Sequence, residues 1–338
     1  MNIISLRFAV VAMMALLAVS AASLPDAAAH AQSAPAAGAE LEVLQIRPNF
    51  YMIAGAGGNV AVQVGGDGVV LVDTGSREHL SALAAAVGKI TTAPIRFIIN
   101  TSADPDHVGG NEGFLQSGVD AFQPLLNLFP RNYFVSGPVA ILAAEGVLRR
   151  MSAPSGLVSP FPVAAWPTET FETGRRYVYL NGEGVEVLHQ PAAHTDGDSV
   201  VFFRRSDVLV AGDIFDMTRF PVIDLQRGGS LQGSIDALNR MIAIAIPSVP
   251  DVSREVGTTV VAGHGQLGDQ FDLLNYRDML VIVRDHVQDL VKAGRTLEQI
   301  KAASPAKGFM RRFGSDSGAW TTNDFIESVY QSLMKGKA

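Results

Sequence analysis

The sequence predicts an α/β fold in which two β-sheets are each combined with helices. Short apolar runs typical of β-strands alternate with segments of helical periodicity in both halves of the 338-residue chain. Residues that can bind metals or take part in catalysis follow directly after several of the predicted strands. In layered α/β folds, functional sites gather beyond the carboxyl ends of the strands, so this placement favours the same fold class.

The first half of the chain predicts a β-hairpin, a helix and a buried strand. The hairpin is indicated by two apolar runs that flank the turn Gly-Gly-Asp-Gly. The helix is indicated by Leu80, Leu83 and Val87, which share one stripe at helical spacing. The predicted elements are strands over 59–64 and 69–73, a helix over 77–90, a strand over 95–100, a weaker helix over 137–151 and a loop over 152–168.

The second half predicts a second group of strands that is followed by helices. Ser230 or Ser234 is a candidate cap at the start of one helix, and Thr296 with Gln299 has the spacing of a capping box. The predicted elements are strands over 185–189, 199–205, 207–212 and 257–263, helices over 230–246 and 272–294, a short helix from Thr296 and a closing helix over 323–335.

The N-terminal segment predicts export from the cytoplasm. Arg7 precedes an apolar run, and Ala-His-Ala at 29–31 fits the small-residue rule for signal cleavage. An uncleaved membrane anchor is the alternative, but the run is short for a spanning helix. We therefore expect a signal peptide over 1–31, a small-residue linker over 32–44, and a periplasmic protein without a stable membrane anchor.

Composition limits the partners and the ligand chemistry. The net charge is −7 and no segment is rich in Lys and Arg, so nucleic acid is not expected as a partner. The chain has no cysteine, so any metal must be held by His, carboxylate, hydroxyl or backbone oxygen. We expect a small-molecule substrate. The apolar segment 120–140 would cover the mouth of a site or the interface of an oligomer.

Four clusters of potential ligands follow predicted strands and are expected to converge at one edge. His and carboxylate ligands suit Zn²⁺, Mn²⁺ or Fe, and a bound metal lowers the pKa of water from 15.7 to about 7, which yields a hydroxide for hydrolysis. The clusters are Ser102, Asp104, Asp106 and His107 after the strand 95–100, His194 after 185–189, Asp213 after 207–212, and His264 after 257–263.

Five motifs in this order resemble the metallo-β-lactamase-fold hydrolases. They are "VVLVDTG" at 69–75, "NTSADPDHVGGN" at 100–111, "AAHTDGDS" at 192–199, "VAGDIFD" at 210–216 and "VVAGHG" at 260–265. The resemblance implies an αβ/βα four-layer sandwich with metals between the two sheets at one edge. It also implies a metallo-β-lactamase-like domain over 45–294 and a C-terminal helical extension over 295–338.

The resemblance also implies roles for individual residues. One metal site has its usual ligands, Asp106, His107 and His264, with Asp213 as the carboxylate that bridges to the other site. The first motif of the family is His-x-His-x-Asp-His, and here it is Ser-x-Asp-x-Asp-His. The altered site keeps His194 and can use Asp104, with Ser102 as a weak ligand.

The expected cofactor is Zn²⁺, one ion or two, with Mn²⁺ or Fe favoured by an oxygen-rich first site. Asp106 and His194 are the expected catalytic residues. Asp73 is expected to support a ligand rather than to bind metal. Asp104 in a turn and Ser102 as a loop cap are the alternatives to metal ligation.

Three functions are compatible with these residues. The first is a metal-dependent hydrolase that acts on an ester, lactone, lactam or related bond. The second is a non-haem iron oxidoreductase on the same fold, and the third is a non-catalytic metal-binding relative. Selectivity would come from loops around 120–168 and 214–230, where Arg219 and Arg227 either meet an anionic substrate or are solvated.

Overall fold

The computed structural model describes residues 41–120, 139–153, 157–250 and 255–335. The predicted signal peptide, most of the linker over 32–44 and most of the apolar segment 120–140 lie outside these residues. Within the described ranges, no helix combines the length and the apolar character that crossing a membrane requires.

The first sheet has seven strands in the order β1 to β7. Strands β1 to β4 pair antiparallel, and β4, β5, β6 and β7 run parallel. The bounds are Glu42–Arg47 (β1), Phe50–Ala56 (β2), Gly58–Gly65 (β3), Gly68–Val72 (β4), Ile95–Ile99 (β5), Ala140–Ala144 (β6) and Glu169–Phe171 (β7).

The second sheet has six strands in the order β15-β14-β11-β10-β9-β8. Within it only β11 and β14 pair in parallel. The bounds are Arg175–Leu180 (β8), Glu183–His189 (β9), Ser199–Phe203 (β10), Val208–Val210 (β11), Thr259–Val261 (β14) and Leu267–Gly268 (β15), and a separate pair is formed by Val249–Pro250 (β12) and Glu255–Val256 (β13).

Nine α-helices are present in the described part of the chain. The bounds are Leu80–Ile90 (α1), Pro105–Val108 (α2), Asn111–Asp120 (α3), Glu145–Met151 (α4), Leu231–Ile244 (α5), Gln270–Lys292 (α6), Leu297–Ala302 (α7), Met310–Phe313 (α8) and Thr322–Lys335 (α9). Ser230 caps α5, and Thr296 with Gln299 forms the predicted capping box at the start of α7.

Strand periodicity sorts the side chains into layers. In β4, Val70 and Val72 join a core that both sheets share, while Val69 and Leu71 pack on the opposite face in a cluster with helix α1. The outer face of the second sheet is covered by α5, α6 and the C-terminal helices, with Tyr276 among the buried side chains. The layers therefore run helix, sheet, sheet, helix, as the predicted αβ/βα sandwich requires.

Most predicted elements agree with the structure, but the helix over 137–151 is partly wrong. Residues Ala140–Ala144 form strand β6, which pairs with β5 and β7, and only Glu145–Met151 is helical. Alanine and leucine favour helix locally, yet this run is buried inside a parallel sheet, and the tertiary environment outweighs intrinsic propensity. The sequence also did not predict β1, β2, β7 and β8.

The topology brings several strand ends to one edge. Parallel strands β4 and β5 end beside each other, and so do β11 and β14. Asn59 joins the two sheets at this edge, because its side-chain amide donates to the carbonyl oxygens of Ala262 and Gly265, each at 2.9 Å. The loops that follow these four strands contain most of the candidate ligands.

Candidate metal centre

Three candidate ligands form one group between the sheets. Asp106, His107 and His264 each offer a ligand atom, and these atoms lie within 4.8 Å of one another. Asp106 and His107 belong to the short helix α2, and His264 follows β14. Nε2 of His264 lies 3.4 Å from Oδ2 of Asp106, so imidazole and carboxylate face the same space.

His107 is held from behind by a buried carboxylate. Its Nδ1 lies 2.7 Å from Oδ2 of Asp73, and its ring is fully buried. Asp73 also accepts hydrogen bonds from the backbone N–H and hydroxyl of Thr101, at 2.8 and 2.6 Å. A carboxylate on Nδ1 fixes the tautomer that leaves Nε2 free to bind a metal. Asp73 is thus placed to orient a ligand, whereas the sequence did not single out Thr101.

A second group consists of Asp104, His194 and Asp213, whose ligand atoms also lie within 4.8 Å of one another. Nε2 of His194 lies 3.4 Å from Oδ2 of Asp104. Nδ1 of His194 lies 3.4 Å from Oδ1 of Asp198, which also accepts from the Thr195 hydroxyl at 2.8 Å. Asp198 therefore orders the loop that presents His194.

Asp213 lies between the two groups. Its Oδ1 is 3.0 Å from Nε2 of His107 and 3.2 Å from Nε2 of His264. Its Oδ2 is 4.0 Å from Nδ1 of His194. One carboxylate thus presents an oxygen to each group, which is the arrangement that a bridging ligand needs.

The backbone around these residues is closely packed. A Cβ atom on Gly58 would lie 3.0 Å from both the Asp106 carbonyl oxygen and Cε1 of His107. Gly212 has a φ of +54°, and a Cβ there would lie 2.6 Å from the Thr101 hydroxyl. Glycine is required at Gly212 because that left-handed conformation and that close approach occur together.

Asp104 has a partner that the sequence did not predict. Nη1 of Arg227 donates to Oδ1 of Asp104, and Nη2 lies 3.4 Å from Oδ2 of the same carboxylate. The two residues are 123 positions apart in the chain, and no local pattern connects them. The Ser102 hydroxyl accepts a hydrogen bond from the backbone N–H of Asp104 at 3.3 Å, which is the contact that its alternative role as a loop cap requires.

The carboxylates control the ionisation of the three imidazoles. Burial lowers the pKa of each ring, because the charged form loses hydration. The Asp213 and Asp73 carboxylates outweigh burial at His107 and raise its pKa well above the usual value. At His194, Asp198 has the largest opposing effect, followed by Asp213 and Asp104, and the pKa rises to about 9. The pKa of His264 is raised mainly by Asp213.

Asp213 shifts in the opposite direction. Burial raises the pKa of its carboxyl group, but the neighbouring imidazoles of His107, His264 and His194 lower it well below the usual value. Asp213 is therefore a carboxylate throughout the neutral range.

The donor set fits a divalent cation. Nε2 of His264 is buried and makes no hydrogen bond within the described part of the chain, although two carboxylates face it. Imidazole and carboxylate ligands in this number suit Zn²⁺, Mn²⁺ or Fe. A cation held by Asp106, His107 and His264, with Asp213 beside them, would satisfy this orphaned nitrogen and neutralise the converging carboxylates.

The other histidines of the described residues have local contacts. His189 contacts the backbone carbonyl oxygen of Asp196 at 2.8 Å, and His286 contacts that of Pro305 at 3.0 Å. His79 contacts the Ser76 hydroxyl at 2.8 Å. None of them belongs to either ligand group in the described residues.

Comparisons with known proteins agree with this architecture. The family model "Metallo-beta-lactamase superfamily" matches residues 54–247. Among solved structures, the chain is similar to the stereoselective inverting sec-alkylsulfatase Pisa1 from Pseudomonas sp., with a TM-score of 0.57 and 14% identity over 86% of this chain and 50% of that one. A double mutant of the sec-alkyl sulfatase PisA1 gives a TM-score of 0.63 and 16% identity over 87% of this chain and 50% of that one.

A metallo-beta-lactamase from Pontibacter korlensis gives a TM-score of 0.51 and 20% identity over 71% of this chain and 98% of that one. The chain spans about half the length of the alkylsulfatase structures. A search of curated proteins finds no match. At these identities the structural similarities show the shared fold.

Proposed function

The chain belongs to the metallo-beta-lactamase superfamily, and from this membership we propose that it is a metal-dependent hydrolase of an ester, lactone, lactam or related bond. Members of the superfamily are typically metal-dependent hydrolases, and the solved structures compared above are alkylsulfatases and a metallo-beta-lactamase. Sulfate esters therefore belong among the candidate substrates. The proposed partner is a small molecule and not nucleic acid.

The observation that supports this proposal best is the group Asp106, His107 and His264, with Asp213 alongside. Asp73 presents Nε2 of His107, and the His264 nitrogen faces two carboxylates without a hydrogen bond. These four residues would hold the cation, Zn²⁺ in the first instance, with Mn²⁺ or Fe as alternatives. A divalent cation there would supply Lewis acidity, which lowers the pKa of water and polarises the bond to be cleaved.

The chain's own residues supply the remaining functions. The side chain of Asp106 is 34% exposed, the most accessible carboxylate of the group, and we assign it to accept a proton from the attacking water. His194 lies beside Asp104 and Asp213, and we assign it to orient water and substrate. Arg219 is tied to Asp216 through its Nε at 2.7 Å and lies on the loop that would select the substrate.

The test begins with protein purified without added metal. Its metal content is measured, and hydrolysis is screened with carboxylic esters, lactones, β-lactams and secondary alkyl sulfates. We expect bound divalent metal and hydrolysis of one class, with activity lost after chelation and in His264→Ala. His286→Ala is the matched control, since His286 lies outside both ligand groups and should retain activity.

Two other outcomes would replace this proposal. Bound iron with a visible absorption band and no hydrolysis would favour the oxidoreductase alternative. Bound metal without turnover of any substrate class would favour a non-catalytic relative. Hydrolysis that persists in metal-free protein and in Asp106→Ala would exclude the metal-dependent mechanism.

We also propose that residues 1–31 direct export and are removed. The Ala-His-Ala segment before Gln32 supports cleavage at this point. N-terminal sequencing of protein recovered from the periplasm should begin at Gln32. Recovery of the intact N-terminus from the cytoplasmic fraction would contradict export.

A further inference from the structure

The altered first motif has a cationic partner within the chain itself. Where the family has a second imidazole, this chain has Asp104, and the Arg227 guanidinium meets that carboxylate through both terminal nitrogens. A fork of this kind uses both oxygens of a carboxylate and neutralises its charge. A metal ion that used Asp104 would therefore bind a carboxylate whose charge Arg227 already neutralises.

Arg227 is held firmly in this position. Its Nε and its backbone N–H donate to Asp224, at 2.7 and 2.8 Å. Its carbonyl oxygen accepts from Nη2 of Arg150 at 2.6 Å and from the backbone N–H of Asp196 at 3.0 Å. These contacts come from three separate segments, so the guanidinium is ordered before any ligand binds.

The turn that bears Arg227 is also packed against the loop of His194. The backbone N–H of Asp224 donates to the His194 carbonyl oxygen at 3.0 Å. A Cβ on Gly229 would lie 2.1 Å from that same oxygen, so the two backbones are in direct contact. The backbone of the turn that bears Arg227 is therefore fixed relative to the loop of His194.

The neighbouring group lacks such a cation. Within the described residues, Asp106 pairs with His264 and not with an arginine or lysine. Arg219, the other arginine of this loop, uses its Nε on Asp216, which is in neither ligand group. Burial lowers the pKa of Arg219, Asp216 has the largest opposing effect, and Asp213 and Asp106 raise the pKa further without a direct ion pair in the described structure. The two candidate sites therefore differ in net charge. The Asp104 carboxylate is already paired with the Arg227 guanidinium, whereas the Asp106 carboxylate has no such ion pair in the described part of the chain.

We propose that Arg227 takes the electrostatic place of the first metal ion, so that the chain holds a single divalent cation at Asp106, His107 and His264. This inference rests on the proposed function, because it assumes that this group binds a metal. Asp104 and Arg227 then form a fixed ion pair beside the metal, and His194 remains available to water and substrate.

Zn²⁺ binding is measured by isothermal titration calorimetry of the chelator-treated mature protein, residues 32–338. The number of Zn²⁺ ions bound per chain is also measured after dialysis. The wild-type protein should bind one Zn²⁺ per chain. Arg227→Gln frees Asp104 to act with His194 and Asp213 and should bind two. Arg219→Gln, the matched control that removes a nearby positive charge, should still bind one, and Arg227→Gln combined with Asp104→Asn should return to one.

The outcomes separate this inference from the hydrolase proposal. Two Zn²⁺ in the wild type, or one in Arg227→Gln, would overturn the role of Arg227 and leave the hydrolase proposal intact. No Zn²⁺ in the wild type would overturn both. If Arg227→Gln does not fold, Asp104→Asn alone decides. Retention of one Zn²⁺ per chain supports the inference, and loss of that ion, which would make Asp104 one of its ligands, contradicts it.

Discussion

Asp73 accepts a hydrogen bond from His107 across 2.7 Å, and both side chains are almost completely removed from solvent. Asp73 follows strand β4 and has a φ of 63°, a conformation that non-glycine residues adopt rarely. The backbone thus turns at Asp73, and this turn lets the Asp73 carboxylate contact His107 in helix α2. This pair connects the first sheet to the proposed metal site, because the opposite nitrogen of His107 faces Asp213.

Asp73→Asn should weaken metal binding by about 10- to 100-fold, the usual effect of losing a residue that supports a ligand. The asparagine amide can donate a hydrogen bond to Nδ1, which would move the ring proton to Nε2 and direct it at the metal position. Competition with a chelator measures the affinity. Thr101→Val is the comparison, since it removes one donor to Asp73 and leaves the His107 contact in place. Equal affinity in wild type and Asp73→Asn would refute this role.

Metal-free protein should become less stable as the pH rises from about 6.5 to 9. The pKa of His194 is about 9 in the folded chain and about 6.5 when unfolded. Because folding raises the pKa of His194, protonated His194 stabilises the folded state. This stabilisation is complete below the unfolded-state pKa of about 6.5 and is lost as the pH rises through the folded-state pKa of about 9. The shift in the His194 pKa corresponds to at most about 3–4 kcal/mol of folding free energy. The raised pKa values of His107 and His264 act in the same direction.

Urea unfolding of chelator-treated protein at pH 6.5 and pH 9.5 measures this difference. Asp198→Asn should reduce it, because Asp198 is the leading cause that raises the His194 pKa. A free energy of unfolding that increases over this range would contradict the assignment.

Gly58→Ala should impair metal binding more than folding. Its Cβ would press on the Asp106 carbonyl and on the His107 ring, each at 3.0 Å, so the ligands would have to shift. Gly88→Ala in helix α1 should have the opposite effect, since no atom lies within 4 Å of its Cβ position apart from its chain neighbours and the backbone of its own helix. It should stabilise the fold by about 0.5–1 kcal/mol through helix propensity. Metal affinity and urea unfolding, measured on both variants, distinguish these effects.

Phe325→Ala should destabilise the whole fold by about 3–5 kcal/mol. Phe325 is fully buried and its ring stacks on Phe220, with centroids 4.6 Å apart, within a cluster that also includes strands of the second sheet. Met334→Ala on the same helix is the control, because Met334 is 42% exposed and should change stability by less than about 0.5 kcal/mol. A small effect of Phe325→Ala would mean that helix α9 contributes little to that core.

The sequence predicted the parts of the fold that local patterns encode. The hairpin of β3 and β4 follows from two apolar runs and a glycine turn, and the α7 cap follows from Thr296 and Gln299. The sequence predicts helix at strand β6 because Ala and Leu in "AILAA" lack β-branching, and only its place between β5 and β7 makes it extended. Such placement depends on contacts that are distant in sequence.

The same limit applies to the candidate site. His107 and His264 could be selected because each follows a strand beside glycines. The partner of Asp104 could not be predicted, since Arg227 lies 123 residues away in a loop without periodicity. An arginine in such a loop is usually solvated, and only the packing of 224–229 against the His194 loop directs it inward.

The central claim is that Asp106, His107 and His264 hold a catalytic divalent metal, and metal content per chain tests it most directly. Wild-type protein and His264→Ala are purified in parallel, dialysed against metal-free buffer and analysed by inductively coupled plasma mass spectrometry. We predict that the wild type retains a stoichiometric divalent metal and that His264→Ala loses it while remaining folded by circular dichroism. Equal metal content in the two proteins, or none in the wild type, would contradict the claim.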